Sequence, residues 1–157
     1  MRSEDVGTRR RAVRAIAEMP EAPGAIAALA DALADPDPSV SGCAALVLGR
    51  HDVAAAAPTL VRMVVQGSND VEAAEVLGRL SRDPEHAACI ATAVSEELAS
   101  PAAGSATRIR LTQALVELEE TIAREMLRHL SHDEDRVVAL LASSLLSAEQ
   151  ERPGEQC

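Results

Sequence analysis

The chain has 157 residues, enough for one compact domain, and 47% of them are hydrophobic although Phe, Tyr and Trp are all absent. Its core must be built from Ala, Leu, Val, Ile and a few Met, which favours closely packed helices over a sheet. A formal net charge of -10 excludes the basic face that duplex binding requires, and the missing aromatics exclude the stacking platforms used on single strands.

Nine helices are predicted, mostly in pairs. Met1-Arg2-Ser3-Glu4-Asp5 is polar with no apolar run behind it, so no secretory signal is read. No apolar stretch reaches the ~18 residues of a membrane span, and the expected location is the cytoplasm. All 15 basic residues are Arg, which together with the Ala excess reads as the codon bias of a GC-rich bacterial genome.

The first helix is predicted over 7–18. Arg9, Arg10, Arg11 and Arg14, with Glu18, are expected on its outward side as the one dense basic patch. That patch reads as a solvated cap, as a site for an anion or acidic peptide, or as the partner of carboxylates within the molecule or across a subunit boundary. A second helix is predicted over 22–34. Asp35-Pro36-Asp37-Pro38 then stops one helix and starts the next, with Asp37 as N-cap and Pro38 in the first turn.

The third helix is expected over 39–50 and the fourth over 53–66. Pro58 should kink the fourth or delay its start. Further helices are predicted over 69–81, 84–99, 103–118, 120–131 and 134–148. Cys43 and Cys89 sit in Ala-rich runs and read as small core residues, without CxxC spacing or a disulfide framework. Residues 150–157 read as a disordered tail ending in an exposed Cys157, which leaves residues 1–149 as the folded domain.

One segment recurs along the chain, an apolar helix ending in Leu-Gly or a variant of it. Ile16-Ala17, Leu48-Gly49, Leu77-Gly78, Leu115-Val116 and Leu145-Leu146 are spaced by 32, 29, 38 and 30 residues. The long interval falls near Ser100-Pro101-Ala102-Ala103-Gly104. Within the second unit Val40, Ala44, Ala45, Leu48 and Gly49 follow an acidic turn. Thr8-Arg9 and Thr107-Arg108 occupy the matching early positions of the first and fourth units. In the fifth unit Asp133, Asp135, Val137, Ala142 and Leu145 match; the third keeps only Ala73, Ala74, Leu77 and Gly78.

Over residues 5–147 this pattern resembles the HEAT-repeat family, in particular short bacterial repeats of the phycobilisome-lyase type. Ser41 and Val138 stand where that family usually has Arg, and Leu146 where it has Gly. The resemblance implies an all-α, right-handed α-α superhelix of about four and a half helix pairs. Such pairs cannot bury their apolar faces alone, so each stacks on its neighbour.

No catalytic constellation is read. His51-Asp52 closes a helix, and His86 beside Glu85 reads as solvated. His129 and His132, followed by Asp133, Glu134 and Asp135, would suit a divalent cation but read as a helix end and an acidic N-cap run, so no metal or cofactor is expected. Two enzyme classes of the resembled fold lose their support here. There is no His-Glu dipeptide of the kind deoxyhypusine hydroxylases use for iron, and no basic, aromatic face of the kind the HEAT-like DNA glycosylases use.

The expected function is therefore a non-catalytic adaptor or scaffold, an accessory subunit that binds another protein or peptide, with no nucleic acid and no membrane. The alternative is a phycobilisome-lyase-like or other ligand-handling enzyme. The second helices are expected to line a concave binding face carrying Asp31, Arg62, Gln66, Glu96, Glu97, Arg124 and Arg128. The last helix is apolar nearly all round. Val138, Leu141, Leu145 and Leu146 are expected to meet a partner or a second copy there, unless the helix folds tightly onto the fourth pair.

Overall fold

The computed structural model describes residues 5–150. Among them are nine α-helices and no strand: α1 (Val6–Ala17), α2 (Ala25–Ala32), α3 (Pro38–Arg50), α4 (Ala57–Gln66), α5 (Asp70–Leu80), α6 (Pro84–Ala99), α7 (Ser105–Ala114), α8 (Glu120–Leu130) and α9 (Arg136–Gln150). The expected tail lies outside the described residues except for Gln150, the last residue of α9.

Local chemistry sets the boundaries. Asp37 caps α3 by accepting from the Ser39 amide at 3.0 Å, with Pro38 in the first turn, and Asp83 caps α6 in the same manner ahead of Pro84. Pro58 delays α4: a 3-10 turn at Ala54–Ala56 precedes it, and the proline sits in the first α turn where no amide is needed. The predicted helix 22–34 is shorter at both ends. Gly24 adopts a left-handed φ of 81°, so α2 opens only at Ala25.

The helices form a row of pairs. α1 packs on α3, α3 on α5, and α7 on α9, while α2, α4, α6 and α8 form the second rank. One continuous core runs the length of the row, from Val13 and Leu29 through Leu48, Leu60 and Leu77 to Leu127, Val138 and Ala142.

The Leu-Gly landmark marks the closest approaches in that row. A Cβ added at Gly49 would lie 2.4 Å from Val76 Cγ1 of α5. One added at Gly78 would lie 2.1 Å from the carbonyl oxygen of Glu117, in the 3-10 turn (Leu115–Glu117) that ends α7. The glycines let backbones approach where any side chain would hold them apart. Arg79 then donates to the Gly49 carbonyl at 3.2 Å, and buried Ser81 accepts from the Glu119 amide at 2.8 Å, tying neighbouring pairs together.

Two arginines hold the ends. Arg9 of α1 donates from Nε to Asp35 Oδ2 at 2.7 Å and from Nη2 to Asp35 Oδ1 at 3.1 Å. Arg108 of α7, at the same place in its helix, pairs with Asp133 at the corner between α8 and α9. Each aspartate also accepts a backbone N–H two residues on, from Asp37 and Asp135 respectively, at 2.9 Å. Arg9 is therefore not part of an outward basic cap: it is buried between α1 and the turn before α3. Arg10, Arg11 and Arg14 remain exposed.

Candidate partner-binding site

The second-rank helices do not close evenly. α4 packs along α6, whereas α6 touches α8 only over a short stretch. Between α6 and α8 lies a cleft of about 480 Å³. Leu98 of α6 and Ile122 and Met126 of α8 form its half-buried apolar floor, while Ser95, Glu125 and His129 supply exposed polar positions. Ile122, Met126 and His129 fall three and four residues apart, so a single face of α8 carries them.

Arg108 is the end wall. It donates from Nη1 to the Leu98 carbonyl at 3.1 Å while pairing with Asp133, and so clamps the end of α6 to the α8–α9 corner. Burial alone would raise the Asp133 carboxyl; the Arg108 guanidinium and the Asp135 amide together hold it below the usual carboxylate range. Beyond this wall an open recess continues past Arg128, His129, His132 and Glu134. No group of three or more His, Cys, Asp or Glu among the described residues is arranged to hold a metal ion. His132 Nδ1 lies 3.1 Å from the Arg128 carbonyl and 3.1 Å from Ser131 Oγ, within its own helix end.

Residues 1–78 match the family described as HEAT repeats. The chain is a HEAT-repeat protein. No curated protein matches it. The HEAT match covers α1 to the end of the Leu77-Gly78 landmark, and the pairs beyond it continue the same row.

The residues expected on the concave face of these HEAT pairs do not gather in one recess. Asp31, Arg62, Gln66 and Glu96 are exposed, and Glu97 is half-buried; none of them lines the cleft. Arg124 pairs with Glu120 one turn earlier on α8, and Arg128 lines only the outer recess. The last helix also differs from expectation. Val138 is fully buried against the preceding pairs, Leu145 and Leu146 pack against the core, and Leu141 is half-buried. The exposed large apolar residues of α9 are instead Val137 and Leu140. Choosing the outward face of an isolated helix from composition alone fails when apolar residues surround it; only the packing partner sets its rotation.

Sequence reasoning missed Ile122, Met126 and Leu98. The nearest signal was the 38-residue interval between landmarks, within which α6 and Leu98 fall. Cys43 and Cys89 are half-buried rather than enclosed, and burial pushes the Cys43 thiol up. His51 ends α3, with Asp52 beyond it at φ 57°, and His86 is half-buried in the first turn of α6. No helix among the described residues is long and apolar enough to cross a membrane.

Proposed function

We propose that this HEAT-repeat chain is a protein-interaction scaffold, a non-catalytic accessory subunit, and that the α6–α8 cleft receives a segment of its partner. HEAT repeats in general mediate protein binding. The observation that carries the narrower reading is the half-buried aliphatic floor of Leu98, Ile122 and Met126, which the row leaves uncovered at this junction and closes at the one before it. A groove with an apolar floor and few polar groups at its edge suits a side-chain anchor from a peptide. Methionine adapts its shape to what it meets. The chain's own lack of aromatics leaves the bulky anchor to be supplied by the partner.

A photo-reactive amino acid placed at Ser95 tests this. Irradiation in the native host is expected to cross-link one partner from that position, and none from the same probe at Arg62 on α4. Cross-linking of the same partner from position 62 and not from 95 overturns the placement.

A further inference from the structure

α9 carries two stripes. Val138 and Ala142 are fully buried, with Leu145 and Leu146 at the margin of the core. At 3.6 residues per turn, Val137, Leu140, Ser144 and Ser147 lie together on the opposite side. All four are exposed, Val137 at 57% and Leu140 at 62%.

α3 shows what covers such a face in a complete pair. Asp37 and Asp135 precede α3 and α9 as equivalent acidic caps, so Leu140 stands where α3 has Gly42, Ser144 where it has Leu46, and Ser147 where it has Gly49. Those three positions of α3 are buried, Gly42 against Met63 of α4 and Gly49 against Leu60 and Val76. The equivalent face of α9 is bare among the described residues. Leu140, Ser144 and Ser147 continue an interface used earlier in the row, and Val137 extends it by one position whose counterpart, Ser39, is exposed on α3.

We propose that this stripe pairs with the same stripe of a second copy, antiparallel, about a two-fold axis. The pattern itself selects that occupant. Bulk lies at the N-terminal end of the stripe, in Val137 and Leu140, and small residues lie at the C-terminal end, in Ser144 and Ser147. Antiparallel pairing sets Val137 over the partner's Ser147 and Leu140 over the partner's Ser144, large against small along the whole seam. Parallel pairing would oppose large to large at one end and leave a gap at the other. The antiparallel contact is isologous and closed by its two-fold, and it opposes the two helix dipoles. A seam of four exposed residues per copy is small beside the ~1,200–2,000 Å² of stable specific interfaces, so the dimer dissociates on dilution. The contact is separate from the α6–α8 cleft.

Sedimentation velocity over a roughly hundredfold dilution series is expected to show monomer and dimer in mass-action exchange. Leu140→Glu is expected to abolish the dimer with unchanged helical circular dichroism and, at dilutions where both chains are monomeric, an unchanged melting temperature. Register is tested in a background of Cys43→Ala, Cys89→Ala and Cys157→Ser. There Val137→Cys combined with Ser147→Cys is expected to form an oxidised dimer. Val137→Cys alone is expected not to, because in an antiparallel pair its two copies lie ~15 Å apart along the helices, beyond disulfide reach. A chain that stays monomeric at the highest concentration, a dimer that survives Leu140→Glu, or cross-linking by Val137→Cys alone overturns the proposal.

Discussion

Two junctions in the second rank of helices use the same materials to opposite ends. At the first, α4 and α6 lie along one another, with the three-residue turns Gly67–Asn69 and Ser81–Asp83 on either side of α5. At the second, α6 runs for 16 residues, a longer turn follows, and α7 settles against α4, reaching α5 mainly through its terminal 3-10 turn at Gly78. α8, which follows directly, is held off α6, and the space between them becomes the cleft. The recess thus lies in the repeat with the longest landmark spacing, and the core behind it stays continuous.

That contrast is held by contacts of unequal strength, and substitutions should rank accordingly. Gly78→Ala is expected to be the most damaging, because the added methyl meets a backbone carbonyl 2.1 Å away that cannot turn aside. Overpacking of this kind costs about 1–3 kcal/mol, and more where backbone must move. Gly49→Ala meets the stiff side chain of Val76 and should cost less. Gly42→Ala meets only the flexible end of Met63 at 3.3 Å, and the helix propensity of Ala, worth about 1 kcal/mol over Gly, should bring it close to neutral. Urea unfolding followed by circular dichroism measures the series, since the chain has no Trp or Tyr to report by fluorescence.

Arg108→Met comes next. It detaches the end of α6 from the α8–α9 corner, and hydrogen exchange is expected to rise across residues 95–104 while the α4–α6 junction stays protected. Arg9→Met should loosen only the first pair.

Acid should act on both clasps. The Arg9 guanidinium above all holds Asp35 below the usual carboxylate range, and Asp133 is also lowered. For carboxyls with depressed folded-state values the linked stability is fully present above the ordinary value of ~3.9 and is lost as pH falls through the folded-state values. Unfolding temperature is therefore expected to hold from neutrality to about pH 5 and to decline below it. Asp35→Asn should flatten that decline. Smallest in its effect on stability is Met126→Glu, a half-buried change expected to cost at most about 1 kcal/mol.

The row of helices was legible because local rules agree along it: Asp-Pro boundaries, Ala/Leu periodicity and a recurring Leu-Gly end. The same reading grouped Arg9 with Arg10, Arg11 and Arg14 because the four are clustered in sequence. Its match to Arg108 at the equivalent repeat position, with an Asp-x-Asp turn some 25 residues on in both cases, was the signal that separated it from them. The rotation of α9 and the opening beside Met126 depend on how far one pair stands from the next. No residue pattern within a single helix encodes that distance.

The measurement that bears most directly on the cleft as the partner's seat is quantitative affinity capture from the native host with three baits: the unaltered chain, Met126→Glu, and Arg62→Glu on the exposed side of α4. The expected result is a partner whose recovery falls roughly tenfold or more with Met126→Glu and is unchanged with Arg62→Glu. Equal recovery with the unaltered chain and Met126→Glu, or a loss confined to Arg62→Glu, would contradict it.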